Sequence, residues 1–359
     1  MNKRPQRCVL VGAIAAGVVG AAAWPRAAAS DPVTGRLPPM INEETAKAID
    51  RGLKYLVSRQ AADGSWRESG AGGYTGYPIA MTALAGMAVA GSGSTPTAGP
   101  YSVQLSRAVT YLLNSAQPNG LICRPGEEES RSMYGHGFSM LFLSQMLGME
   151  GDPDRMEAIR RVLQNAVALT DKAQSQLGGW IYTPDSGGDE GSVTITQVQG
   201  LRACRDAGIA VPRRVIREAM GYLEKSIQPD GGIAYRVGMQ GSRPPISAAA
   251  VACWFNAGEY DNPMALRALA YSKRTIGVGR GQANVWGHYF YAHLYLAQVL
   301  YLAGDKEWKP YFPALRDQIL AMQNDDGSWD GDSVGRIYGT SLALTILQLP
   351  YNYLPIYQR

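Results

Sequence analysis

The chain has 359 residues, enough to bury a sizeable core, and its 34 Lys and Arg against 30 Asp and Glu leave a formal charge of +4. Lys3, Arg4, Arg7 and Arg26 account for that whole excess, so the remainder is neutral. That excludes the basic field a nucleic acid or an anionic membrane surface would need, and four cysteines, Cys8, Cys123, Cys204 and Cys253, are too few for a disulfide framework.

Three of those basic residues precede an apolar stretch from Cys8 to Trp24, and Ala27-Ala28-Ala29 then offers the small side chains that signal peptidase reads. Residues 1–29 are expected to be a signal peptide whose cleavage exports a chain beginning at Ser30. A membrane anchor formed by the uncleaved segment is the alternative. After cleavage no integral membrane association is expected.

Beyond this segment two helical patterns alternate. Glu43–Arg59, behind the capping residue Asn42, repeats Ala46, Ile49, Leu53 and Leu56 at three to four residues and is amphipathic. Pro78–Ala90 is apolar or small on every side, as a helix surrounded by protein is. The amphipathic kind returns at Val103–Ala116, Arg155–Ala173 (behind Pro153 and Asp154), Pro212–Ile227, Pro263–Ile276 and Tyr311–Met322. The apolar kind follows each time, at Tyr134–Leu147, Ser192–Ala207, Ile246–Ala257, Tyr289–Ala303 and Tyr338–Leu347. Gly91, Gly148, Gly208, Gly258 and Gly304 stand where C-terminal caps stand. Six helical hairpins of this kind predict an all-α double ring, six apolar helices inside and six amphipathic ones outside.

A turn motif joins the two members of each hairpin. Gln60, Asp63, Gly64, Ser65 and Trp66 recur at the same offsets as Gln323, Asp326, Gly327, Ser328 and Trp329. Weaker copies are Gln117-Pro118-Asn119-Gly120-Leu121, Gln176-Leu177-Gly178-Gly179-Trp180, Gln228-Pro229-Asp230-Gly231-Gly232-Ile233 and Gln282-Ala283-Asn284-Val285-Trp286. A repeat of about fifty residues ending on the same turn chemistry marks an array of like units. Asp-Gly turns a left-handed corner, Trp gives a flat surface, and the Gln amide can reach a neighbouring helix terminus. These residues therefore read as struts between hairpins, not as catalytic groups.

The pattern resembles the prenyltransferase and squalene-oxidase repeats of squalene–hopene cyclases and protein prenyltransferase β subunits, over about Asn42 to Leu349. The resemblance implies that residues 42–359 form a single α/α toroid whose inner-helix N-termini rim a cavity for an isoprenoid. The family's catalytic groups are largely missing. Where the cyclases carry an aspartate-rich acid this chain has Ser192-Val193-Thr194-Ile195-Thr196-Gln197, and a hydroxyl is too weak an acid to protonate an alkene. Gly287-His288-Tyr289-Phe290-Tyr291 resembles the segment bearing the prenyltransferases' zinc-binding His. Pro244-Pro245-Ile246-Ser247 stands where their Asp and Cys should be, and Cys204-Arg205-Asp206 lies at the far end of its helix. The Gly-Cys-Gly-Glu-Gln thioester signature is also missing. No metal and no cofactor are expected.

Three histidines fall near the start of apolar helices: His136, His288 and His293. With Tyr134, Tyr291 and Tyr338, and with Tyr74 and Tyr77, they share the rim and are the candidate ligand-binding residues. Asp189 and Glu190, just before Ser192, are adjacent acids near such a start, and a helix N-terminus favours acids without any further role. Three readings follow: an exported toroid that binds an isoprenoid or other apolar small molecule, a carbohydrate lyase or hydrolase, and a non-catalytic interaction scaffold. The first needs an apolar cavity deep in the inner ring, the second an open groove with charged residues, the third a filled centre.

Overall fold

The structure is a computed structural model that describes residues 37–68, 76–185, 187–278 and 287–358. The expected signal peptide lies outside the described residues. So do Tyr74 and the weak turn copy Gln282–Trp286.

Among the described residues twelve α-helices carry the fold: α1 (Glu43–Ser58), α2 (Pro78–Ala90), α3 (Ser102–Asn114), α4 (Ser132–Leu147), α5 (Pro153–Lys172), α6 (Gly191–Asp206), α7 (Arg213–Lys225), α8 (Pro244–Asn256), α9 (Pro263–Thr275), α10 (Tyr289–Ala303), α11 (Asp305–Ala321) and α12 (Arg336–Gln348). Among the described residues there is no strand, and no helix is long and apolar enough to cross a membrane. Each even-numbered helix packs on the next, and α12 packs back on α2, so the inner ring closes. The odd-numbered helices lie outside and present buried apolar stripes inward, such as Ile49, Leu53 and Leu56 of α1. This is the all-α toroid of six hairpins.

Two boundaries differ from expectation. Helix α11 starts at Asp305, ahead of Tyr311, and continues through Pro310 and Pro313. Each proline removes one backbone bond, to Lys306 and Lys309, which are exposed so that water can satisfy their carbonyls. Buried Trp308, stacked on Phe312 at 4.4 Å, anchors the turn the sequence reading left out. Helix α5 is capped by Asp152, whose carboxylate accepts from the N–H of Asp154 at 2.9 Å; Asp154 sits inside the first turn.

The turns are joints between neighbouring hairpins. The Gln60 amide donates to its own turn at Gly64 O (3.0 Å) and to Gln104 O in α3 (2.9 Å). Gln323 does the same with Gly327 O and Ala48 O of α1, across the closing seam. In the third hairpin the strut is Gln174, bonded to Gly178 O (2.8 Å) and Val215 O (2.9 Å), which corrects the assignment to Gln176. Gln117 and Gln228 are displaced by one residue: their backbone N–H groups close the turn as that of Ala61 does, and their amides stay local, Gln228 on Ser226 O at 3.4 Å. Neither is a strut. The turn glycine is needed twice over. Gly64 has φ +92°, and a Cβ there would lie 2.5 Å from Arg107 O in the next outer helix.

Each Trp ties the two rings of its hairpin together. Nε1 of Trp66, Trp180 and Trp329 donates to Leu56 O, Thr170 O and Ile319 O of the outer helix. Their backbone N–H groups donate to Thr82, Thr194 and Thr340 on the inner helix, each at 3.0 Å. Ile122 and Ile233 replace Trp in two turns, and there His136 Nδ1 (3.1 Å) and Ser247 Oγ (2.8 Å) take the N–H.

A second set of bonds runs around the rim. The connection entering one inner helix lays an acceptor on the N-terminus of the inner helix before it. Glu68 accepts from Ile337 N of α12 (2.8 Å), Glu128 from Ile79 N of α2, and Asp332 from Tyr289 N of α10 (3.2 Å). Carbonyls do the same: Tyr182 O accepts from Met133 N of α4, and Tyr235 O from Gly191 N of α6. These groups satisfy donors that a helix start leaves open and meet its positive end.

Candidate ligand site at the mouth of the inner ring

The six inner helices run parallel, so one rim gathers six N-termini. In their N-terminal halves, among the described residues, Tyr134, Phe138, Ser192 and Tyr291 keep substantial accessible surface, apart from Arg336 at the start of α12. Tyr134 and Phe138 are one turn apart on α4. Leu141 and Gln145 continue the same face and are buried, as are His136, Met140 and Phe142 around them. A stripe at i, i+4, i+7 and i+11 is one helix face. It faces the axis, because the outer ring covers the other side.

Two further helices bring aromatic rings to the same side. Tyr338 on α12 keeps 9% of its surface while Thr340 and Ser341 keep none, and Tyr295 lies one turn below Tyr291 on α10, its ring 4.8 Å away. The accessible surface is therefore gathered at the mouth, and the axial faces below it are walled largely by buried aromatic and aliphatic side chains. The two cavities described elsewhere are far smaller than an isoprenoid. One, of about 20 Å³, lies between α6, α7 and α8, and one of about 10 Å³ lies under the C-terminal segment.

One buried acid serves the mouth. Glu190 is the N-cap of α6, with Oε2 accepting from Ser192 N at 2.8 Å and Oε1 from Val193 N at 2.6 Å. Ser192 Oγ lies 2.8 Å from Oε1, and Tyr134 Oη lies 2.7 Å from Ser192 Oγ and 3.2 Å from Oε1. The accessible phenol and hydroxyl thus lead to a carboxyl that water does not reach. Burial raises the Glu190 pKa, with the N–H and O–H donors opposing it. Tyr134 and Tyr291 are likewise held as neutral phenols by burial. Further out, Tyr182 stands 6.0 Å from the Tyr134 ring and shares a hydroxyl hydrogen bond with Tyr235.

The sequence candidates separate into two groups. Tyr134 and Tyr291 meet at the mouth, and Tyr338 is close enough to Tyr291 for their phenols to interact. The histidines are not with them. His136 lies between the rings, its Nδ1 accepting from Ile122 N, so that Nε2 carries the proton toward Thr170 Oγ1 at 3.0 Å. Burial lowers its pKa to about 4. His293 is also buried between the rings, with Nδ1 2.7 Å from Tyr311 Oη and its pKa lowered to about 3. His288 is exposed at the N-cap of α10. Tyr77 is the left-handed N-cap of α2. Among the described residues no three His, Cys, Asp or Glu side chains are placed to hold a metal, and Cys123, Cys204 and Cys253 are buried thiols. Asp189 turns away from Glu190, to Ser175 Oγ at 3.2 Å.

No family model matches the chain, and no curated protein matches it. Solved structures do. The type II terpene cyclase MstE from Scytonema is 14% identical with a TM-score of 0.60, covering 87% of this chain and 99% of the other. A GH76 α-1,6-mannanase of Salegentibacter is 8% identical with a TM-score of 0.63, covering 86% and 99%. A protein from Actinoplanes is 17% identical with a TM-score of 0.55, covering 86% and 99%. The chain has the α/α toroid fold of the terpene cyclases and these mannanases. At such identities the likeness extends to the fold alone, so the toroid must be assigned a ligand from its own residues.

Proposed function

We propose that this chain is an exported toroid that binds an elongated, largely apolar molecule, an isoprenoid or similar lipid-like compound, along the axis of its inner ring. The polar end of the ligand would rest at Tyr134, Ser192 and Glu190. The observation that carries this reading is the accessible aromatic surface of Tyr134, Phe138 and Tyr291 at the mouth, above axial faces of largely apolar side chains. Aromatic faces with phenol groups suit a hydrocarbon chain with one polar terminus, and a hydroxyl head group could exchange hydrogen bonds with Tyr134 and Ser192.

The neighbours leave two chemistries to weigh. MstE structures hold geranylgeranyl dihydroxybenzoate or merosterolic acid A, and the mannanase holds α-1,6-mannotriose. Sugar hydrolysis ordinarily needs two carboxyl groups across one bond, and Asp189 points away from Glu190. The lipid-like ligand is therefore the better fit. Export is part of the same proposal and rests on the Ala27-Ala28-Ala29 site that ends the N-terminal apolar stretch.

Native mass spectrometry of the protein purified from its exported form should reveal a co-purifying hydrophobic molecule. After delipidation the protein should take up labelled farnesol or geranylgeraniol, and Tyr291→Ala should weaken that uptake about tenfold, as loss of a buried aromatic contact does. Finding no bound molecule, together with refusal of both alcohols by delipidated protein, would end the proposal.

A further inference from the structure

The segment after α12 turns back across the C-terminal end of the inner ring. It makes two short 3-10 turns, Leu349–Tyr351 and Pro355–Tyr357, and buries Leu354, Ile356 and Tyr357. The Ile356 N–H donates to Gln145 Oε1 at 3.1 Å, which ties the segment to the lowest residue of the axial stripe on α4. The Tyr357 phenol reaches the neighbourhood of Tyr295, the ring immediately below Tyr291. From Tyr134 to Gln145 is eleven residues, or about 16 Å of helix. A ligand lying along the axis would thus have the mouth at one end and this segment across the other.

We propose that Leu354–Tyr357 is the floor of the axial space and that Tyr357 limits the length of the apolar ligand admitted. This deepens the reading above and rests on it. No inner helix supplies that floor; a separate segment does, held by one backbone hydrogen bond and three buried side chains. Its side chains set the depth without disturbing the turns that join the hairpins.

The test compares equilibrium binding of labelled farnesol (three isoprene units) and geranylgeraniol (four units) to delipidated protein. Tyr357→Ala should shift the preference toward geranylgeraniol by about tenfold, the scale on which pocket volume discriminates hydrocarbon length. Tyr357→Trp should shift it the other way, and Tyr357→Phe should leave it unchanged. A wild type that binds while all three variants keep its ratio overturns the floor and leaves the axial ligand standing. A wild type that binds neither alcohol removes both. Should circular dichroism show Tyr357→Ala to be unfolded, the Trp variant decides alone, and an unchanged ratio there overturns the proposal.

Discussion

The inner helices have two faces with opposite characters. Toward the outer ring they present Thr82, His136, Thr194, Ser247 and Thr340, which each accept a turn N–H and are sealed from solvent. Toward the axis they present Tyr134, Phe138, Tyr291 and Tyr338, which keep some open surface. Both sets sit near the same rim, yet one holds the rings together and the other leaves room. Polar side chains at the start of an inner helix therefore have no common role. Their rotation about the helix decides it.

The largest expected effect tests that division directly. Trp329→Ala would remove a fully buried indole and its bond to Ile319 O at the seam where the last hairpin meets the first. About 3–5 kcal/mol of stability should go, read from urea denaturation. Tyr291→Ala, on the axial face and half-buried, should cost about 1–2 kcal/mol because part of its surface is already accessible to solvent in the folded protein. Equal losses for the two would erase the distinction between the faces.

A smaller effect sharpens it through pH. His136 is held neutral with a pKa of about 4, against 6.5 for an ordinary histidine. Between those values the unfolded chain binds a proton that the folded one refuses, so stability falls on acidification, by at most about 3 kcal/mol. Glu128 has the opposite sign. Burial raises its pKa from 4.5 to about 7, so the folded chain holds the extra proton in that window and stability rises as pH falls. Glu68, Asp332 and Glu190 are raised in the same direction, also chiefly by burial. His293, lowered to about 3, acts in the same direction as His136, and the two together oppose the acids, so the wild type should show a shallow profile between pH 4.5 and 6.5. His136→Thr, which restores the acceptor used in other repeats, should become more stable as pH drops through that range. Glu128→Gln should steepen the acid loss instead. Unaltered profiles in both variants would mean that these buried groups do not control acid stability.

The hairpins and their ring were legible because apolar periodicity and Asp-Gly corners are local signals. The site was only half legible. Tyr134 and His136 are neighbours in sequence, but two residues rotate a helix by about 200°, which sends one to the axis and the other between the rings. Tyr291 and His293 divide in the same way. Glu190 could be read as a helix cap, whereas its link through Ser192 to Tyr134 depends on α4 standing beside α6. The cap acids Glu68, Glu128 and Asp332 act on other hairpins, which no local pattern announces. The segment Leu354–Tyr357 has no helical period at all, so its place across the axis had to come from the fold.

The smallest effect concerns register. Counting back six residues from Trp180, as from Trp66 to Gln60, arrives at Gln174, and the nearer Gln176 obscured it. Gln174→Ala would remove a buried amide that bonds both its own turn and α7. The lost bonds should cost about 1–2 kcal/mol and lower Tm by a few degrees. Gln228→Ala removes a half-buried amide whose bond, at 3.4 Å, stays within its own turn, so a change below about 0.5 kcal/mol is expected. In that hairpin Arg267 reaches Gln228 O and Pro229 O, and Arg274 reaches Asp230 O, so the next outer helix supplies the link from its own side. Removing Arg267 and Arg274 together should then cost more than removing Gln228. If the Gln228 variant proves as damaging as the Gln174 variant, the cross-hairpin amide is not what distinguishes a strut from an ordinary turn.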